Sequence, residues 1–220
     1  MDVMKITDAQ PQKNNANRKS VFIDYTYALS MDEEDWLKMK LSVGQEISEQ
    51  QIQQIQEVCN YSKAKKKALR YITFKMRTAL EVKEKLKQDG YTTEIAEQVI
   101  AYFKELDYIN DDTYTYKYIR DSVQLKKWGA KRIIMELQVK GVAQETILKH
   151  IETQTAHENE QLILLIQKKF RTIKSHDEKS LNRIRNYFIR RGYSLYSINT
   201  CIKKIMNDSQ QPTTLKGSGL

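Results

Sequence analysis

The chain has 220 residues, 40% apolar and 30% charged, with a formal net charge of +9. That is enough for one large domain or two small ones, and too apolar for outright disorder. The longest unbroken aliphatic run, residues 162–166, falls far short of the roughly 20 residues of a membrane span, and residues 1–16 lack the apolar core of a secretory signal. Cys59 and Cys201 stand alone, which argues against a disulfide scaffold or a thiolate metal cluster. A cytoplasmic, membrane-free protein is expected. Excess positive charge favours a polyanionic partner, whether nucleic acid, an anionic membrane face or an acidic protein assembly, or is simply surplus lysine.

In chain order, residues 1–60 read as a small β-hairpin followed by helices. Residues 18–24 and 25–29 are rich in β-branched and aromatic side chains and form the hairpin, with Lys5, Ile6 and Thr7 as a possible third strand. Residues 32–40 and 48–60 look helical. From there the chain carries no proline until Pro212, which suits a mainly helical protein because proline breaks the backbone ladder.

Gly90, Gly141 and Gly192 are spaced by 51 and again by 51 residues, a repeat signal. Upstream of each glycine, at identical offsets, lie Ala79, Val82 and Leu86; Ala130, Ile133 and Leu137; and Leu181, Ile184 and Phe188. Spacing i, i+3, i+7 puts each trio on one helical stripe. Thr78, Gly129 and Ser180 precede the trios as expected N-caps, and Thr78 with Glu81 spells a capping box. Each glycine is expected to end its helix in the left-handed conformation, with Tyr91, Val142 or Tyr193 supplying the apolar contact beyond it. A second stripe follows: Ala96 and Ile100, Ile147 and Ile151, Ile198 and Ile202. Upstream, residues 61–75, 111–127 and 158–173 each leave room for another helix. The expected architecture is three tandem three-helix repeats, at residues 61–109, 110–157 and 158–206, forming an elongated helical array. Residues 207–220 read as a disordered tail.

Charge falls in blocks. Residues 63–90 and 168–192 each carry a net +7, while residues 94–121 hold seven acidic side chains against three basic ones. If the basic helices share a face, the array presents a positive strip; the alternative is alternating solvated faces. The candidate contacts are Lys65, Lys66, Lys67, Arg70, Lys75 and Arg77 in the first repeat. The second supplies Lys126, Lys127, Lys131 and Arg132, and the third Arg183, Arg185, Arg190 and Arg191. Such side chains neutralise phosphate or carboxylate, and binding through them weakens with salt. Tyr71, Phe74, Trp128, Tyr187 and Tyr193 lie among these charges, either to stack on bases or to pack half-buried.

No phosphate-cradling glycine loop, nucleophile elbow or zinc-protease motif is present. His150, His157 and His176 match no zinc spacing and read as solvated helix-surface residues. Asp107, Asp111 and Asp112 are better explained by a helix start, with Asn110 as cap, than by a metal. The chain therefore reads as a binder with no catalytic residues, metal or cofactor.

Residues 71–91, Leu106-Asp107-Tyr108-Ile109-Asn110-Asp111 with Tyr114, residues 127–142, and Arg190-Arg191-Gly192-Tyr193 together resemble the RecX family of recombination regulators, in order and at matching separations. The strand Ser20-Val21-Phe22-Ile23-Asp24 and the following Tyr27-Ala28-Leu29 are similar to longer family members. Two departures stand out: Asp107 where the family usually has glycine, and Thr115 where it usually has alanine. The resemblance implies a non-enzymatic protein that binds the RecA recombinase filament on single-stranded DNA; nothing in the sequence demands a dimer, so a monomer is expected. It further implies interference with strand exchange and with RecA-stimulated self-cleavage of the SOS repressor. Two other readings remain: a direct DNA binder using helix-turn-helix-like repeats, and a small helical enzyme built on Asp107, Asp111 and Asp112.

Overall fold

The computed structural model describes residues 3–170 and 177–208. The chain divides into two compact units, the first ending at Ile109 and the second beginning at Asn110.

The first unit opens with strands β1 (Met4–Gln12), β2 (Asn15–Ile23) and β3 (Thr26–Asp32), the short helix α1 (Glu33–Lys38) and the two-residue strand β4 (Glu46–Ile47). The expected hairpin is thus part of a four-stranded antiparallel sheet ordered β3-β2-β1-β4. Asp24 and Tyr25 both have positive φ, 47° and 65°. They form a two-residue hairpin turn whose twist matches that of the strands, so Tyr25 belongs to the turn and not to the strand. Ile6 pairs with Ile23 and Val21 with Leu29, so one face of the sheet is apolar and buries Ile6, Val21, Ile23 and Leu29 with Met31, Trp36 and Ile47.

Helix α2 (Glu49–Phe74) starts at a Ser48/Gln51 capping box and runs unbroken through residue 60, where the sequence reading separates two helices. Its first half sets Ile55 and Cys59 against the sheet, and its second half sets Ala64, Ala68 and Ile72 against α3 (Ala79–Gln88) and α4 (Thr93–Glu105). With no glycine or proline between residues 48 and 74, nothing in the chain stops the helix there.

The second unit contains α5 (Asp111–Gln124), α6 (Ala130–Val139) and α7 (Gln144–Thr155) around one core, and α8 (Glu158–Lys169), α9 (Glu178–Arg190) and α10 (Leu195–Asp208) around another. Ile133, Leu137, Ile147 and Ile151 fill the first; Leu181, Ile184, Phe188, Ile198 and Ile202 fill the second. Helix α9 begins three residues earlier than expected. Asp177, not Ser180, is its N-cap, because the Asp177 carboxylate accepts from the backbone N–H groups of Lys179 and Ser180. The preceding helix is expected to reach residue 173, but residues 171–173 lie outside the described residues.

Gly90, Gly141 and Gly192 have φ of +88°, +75° and +91°. In each turn the residue after the glycine donates back to the carbonyl of the third buried position: Tyr91 to Leu86, Val142 to Leu137 and Tyr193 to Phe188, all at 3.1 Å. Two orphan carbonyls are satisfied per helix end, and the apolar side chain beyond the glycine is directed onto the core. Asp107, at φ 58°, makes the same turn after α4, with Tyr108 N–H donating to Phe103 O at 2.9 Å. Aspartate is among the few non-glycine residues that visit this conformation readily, which accommodates the departure from glycine. Thr115 is buried and donates its hydroxyl to Asp111 O at 2.6 Å, so the hydroxyl it adds relative to alanine is not left orphaned.

Candidate functional site

In the first unit the candidate cations spread around α2 and its end. Lys65 and Arg70 are separated by about 140° around the helix axis. Several are compensated by carboxylates: Lys66 by Asp32 at 2.8 Å, Lys67 by Asp89 at 3.1 Å, and Arg77 by Glu81 at 4.0 Å. Lys85 and Lys67 together hold the Asp89 carboxyl below its usual range, chiefly through the Lys85 contact. Lys65 lies over the Tyr102 ring at 4.6 Å and Arg77 over Tyr71 at 4.2 Å. Arg70 and Lys75 are exposed, as is Phe74 at the end of α2.

In the second unit the candidates converge. The N-terminus of α6 abuts the turn after α9: Gly129 N–H donates to Arg191 O at 2.8 Å and Lys131 N–H to Gly192 O at 3.2 Å. Ala130 N–H donates to the Glu158 carboxylate at 2.7 Å. Three orphan amides of α6 are thereby capped by groups from beyond residue 157, doing what the missing side chain of Gly129 cannot. Burial pushes the Glu158 carboxyl above its usual value, against the opposing effect of the Ala130 hydrogen bond. Return contacts close the clasp: Arg191 Nη1 donates to Lys126 O at 3.0 Å, Tyr193 Oη to Lys127 O at 3.3 Å, and Arg132 Nη1 to Arg190 O at 3.3 Å. A β-carbon on Gly129 would sit 2.5 Å from the Gly192 carbonyl, so only glycine permits the approach.

Lys126, Lys127, Lys131, Arg132, Arg190 and Arg191 therefore come together. Among the described residues only Arg132 of these six has a carboxylate partner, Glu136 at 3.6 Å. Lys126 rests on the rings of Tyr118 and Trp128, and Arg191 on the Tyr187 ring and the Lys126 carbonyl, contacts that orient a cation without cancelling its charge. Lys126 and Arg132 lie over Trp128 at 4.2 and 4.0 Å, and Arg191 over Tyr187 at 5.0 Å. Lys169, which the sequence reading does not single out, covers Tyr187 at 4.4 Å, and with Lys168 it lines a cavity of about 390 Å³ beside Arg191. Their place in the basic block of residues 168–192 is the one signal in the sequence that points to them.

Arg185 is engaged within the fold. It is half-buried and held by Glu178 at 2.6 Å, Asn182 at 2.9 Å and Asn199 at 3.0 Å, which makes it a tie between α9 and α10. Arg183 is exposed on the same helix. Of the five aromatics considered for base stacking, Tyr193 is buried, and Tyr71, Trp128 and Tyr187 are half-buried under cations.

Asn110 caps α5 by accepting from Thr113 N–H at 2.8 Å, with Asp111 and Asp112 in its first turn. Asp112 contacts Lys149 at 2.7 Å and His150 at 3.0 Å, and these two contacts, Lys149 foremost, hold its carboxyl below the usual range. His150 is thus a half-buried partner of Asp112 and not a solvated surface residue; His157 is exposed, and His176 lies outside the described residues. Among the described residues no group of three or more His, Cys, Asp or Glu side chains is placed to hold a metal, and no helix is long and apolar enough to cross a membrane. Burial raises the Cys59 thiol to about 11, leaving it protonated and unreactive at neutral pH.

A small sheet followed along the chain by three-helix domains, with cations gathered on one clasp and no metal cluster among the described residues, has the makings of a binding protein. The N-terminal domain of the regulatory protein RecX matches residues 4–48, the first RecX three-helix domain residues 64–103, and the second residues 110–149. The regulatory protein RecX of Clostridium beijerinckii is 31% identical over 92% of this chain and 96% of its own length. That of Clostridium tetani is 28% identical over 93% and 95%. A crystal structure of RecX from Lactobacillus salivarius superposes with a TM-score of 0.61 at 25% identity, covering 67% of this chain and 97% of that one. A second crystal structure of regulatory protein RecX shares the fold, with a TM-score of 0.71 over 91% of this chain and 99% of that one. The chain belongs to the RecX family of regulatory proteins, which are not enzymes.

Proposed function

We propose that this chain binds the RecA recombinase filament on single-stranded DNA and inhibits strand exchange and filament-stimulated cleavage of the SOS repressor. Near full-length relatedness to RecX proteins carries the reading, since that family implies RecA as partner. The clasp of the second unit supports it physically. Five of its six cations have no carboxylate partner among the described residues, and the backbone that carries them is fixed by the clasp, so together they attract a polyanionic assembly. Binding acts on the filament only so far as the chain prefers one filament state over another. Strand exchange and RecA ATPase, measured with substoichiometric and then stoichiometric folded protein, should both fall. Unchanged rates at micromolar protein would remove the reading. Tight, sequence-dependent binding to duplex DNA without RecA, persisting at raised salt, would instead favour direct DNA readout.

A further inference from the structure

Beside the clasp, α6, the last turn of α9 and the first turn of α10 enclose a groove of about 610 Å³. Ile133 and Leu137 point α6 into its core, yet the opposite face of the same helix is not polar. Lys131, Met135 and Val139 follow one another at four-residue spacing along it. Met135 is 65% exposed and Val139 81%, facing Ile189 at 45% and Leu195 at 50% across the groove. Four large apolar side chains converging on one open groove are unusual for a surface with no occupant.

The rim is cationic. Lys131 and Arg190 line it with no carboxylate partner among the described residues, and the one carboxylate there, Glu136, is held by Arg132. We propose that this groove docks an acidic amphipathic helix of a protein partner, with apolar side chains on Met135, Val139, Ile189 and Leu195 and carboxylates on Lys131 and Arg190. Helix-in-groove recognition lays the apolar face of an amphipathic helix on an apolar floor, and the cations on this rim select carboxylates beside that face. A nucleic acid fits poorly, because an apolar floor desolvates phosphate and offers it no donors. A second copy docking face to face would bring Lys131 and Arg190 against their own kind. The inference goes beyond the RecA reading and does not depend on it.

The test uses the full chain and two fluorescent helical peptides of about 16 residues. Both carry leucines at i, i+3, i+4 and i+7; one is flanked by glutamates and the other by lysines. Anisotropy should show the acidic peptide binding at least about tenfold more tightly than the basic one. M135E/V139E should abolish that binding with an unchanged melting temperature, both side chains being exposed. Lys131→Ala should weaken it without touching the floor, which keeps the test sound if the double variant folds poorly. Equal affinity for both peptides, no binding by the wild-type chain, or full binding by Lys131→Ala together with M135E/V139E would overturn the proposal. A wild-type dimer in sedimentation that M135E/V139E disperses would overturn it too, in favour of a second copy.

Discussion

Gly90 in the first unit and Gly192 in the second hold the same left-handed backbone, at φ +88° and +91°, behind helices with equivalent buried positions. A β-carbon added to Gly90 would meet nothing within 4 Å, whereas one added to Gly192 would overlap the backbone and side chain of Arg132. The local turn is repeated; what is built on it is not. In the second unit the carbonyls of Arg191 and Gly192 have become the N-terminal cap of another helix, and that reuse draws two sets of cations together. In the first unit three of the six candidate cations are compensated by Asp32, Asp89 or Glu81 instead.

Substitutions at the two turns should separate strain from collision. Gly192→Ala combines an unfavourable φ with overlap at Arg132 and should cost about 3–5 kcal/mol in urea denaturation, the largest loss of the series. Gly129→Ala has an ordinary φ of −80° and so isolates the collision with Gly192; about 3 kcal/mol is expected in the same melts. Gly90→Ala retains only the backbone strain and should cost about 1–2 kcal/mol. Equal losses at Gly90 and Gly192 would mean that the clasp adds nothing.

Smaller still is the contribution of Glu158. Glu158→Ala leaves the Ala130 N–H without its acceptor and should cost about 1 kcal/mol. Glu158→Gln keeps an acceptor and removes the charge. Because burial raises the folded-state carboxyl above the usual 4.5, the folded state binds the proton more tightly than the unfolded state does. Wild-type stability therefore falls, relative to Glu158→Gln, as pH rises from below 4.5 through the raised value. Urea melts of the two proteins should lie closer at pH 4 than at pH 7.

Local periodicity made the turns and the two helical stripes readable in the chain, because glycine spacing and N-cap chemistry act within a few residues. The cap by Asn110 and the Thr78/Glu81 capping box followed from the same short-range rules. What escaped the sequence works at a distance. Glu158 caps an amide 28 residues away, and Arg191 reaches the carbonyl of Lys126 across 65. Nothing in the spacing of residues 126–132 or 190–193 announces that contact, although glycine at the N-cap of α6, where threonine stands in the first repeat, is its trace. Strand β4, two residues long, is too short to carry any periodicity. The merger of two expected helices into α2 reflects a core on each side of one helix, which composition alone does not reveal.

The most direct test removes equal charge from the two regions. In co-sedimentation with RecA filaments on single-stranded DNA, K126A/K127A/K131A/R190A should lose most of its binding and much of its salt dependence. K65A/K66A/K67A/R70A, also four charges poorer, should stay within about threefold of wild type. Equal losses in the two variants, with both shown to be folded, would mean that net charge alone drives binding and would contradict the clasp as the docking surface.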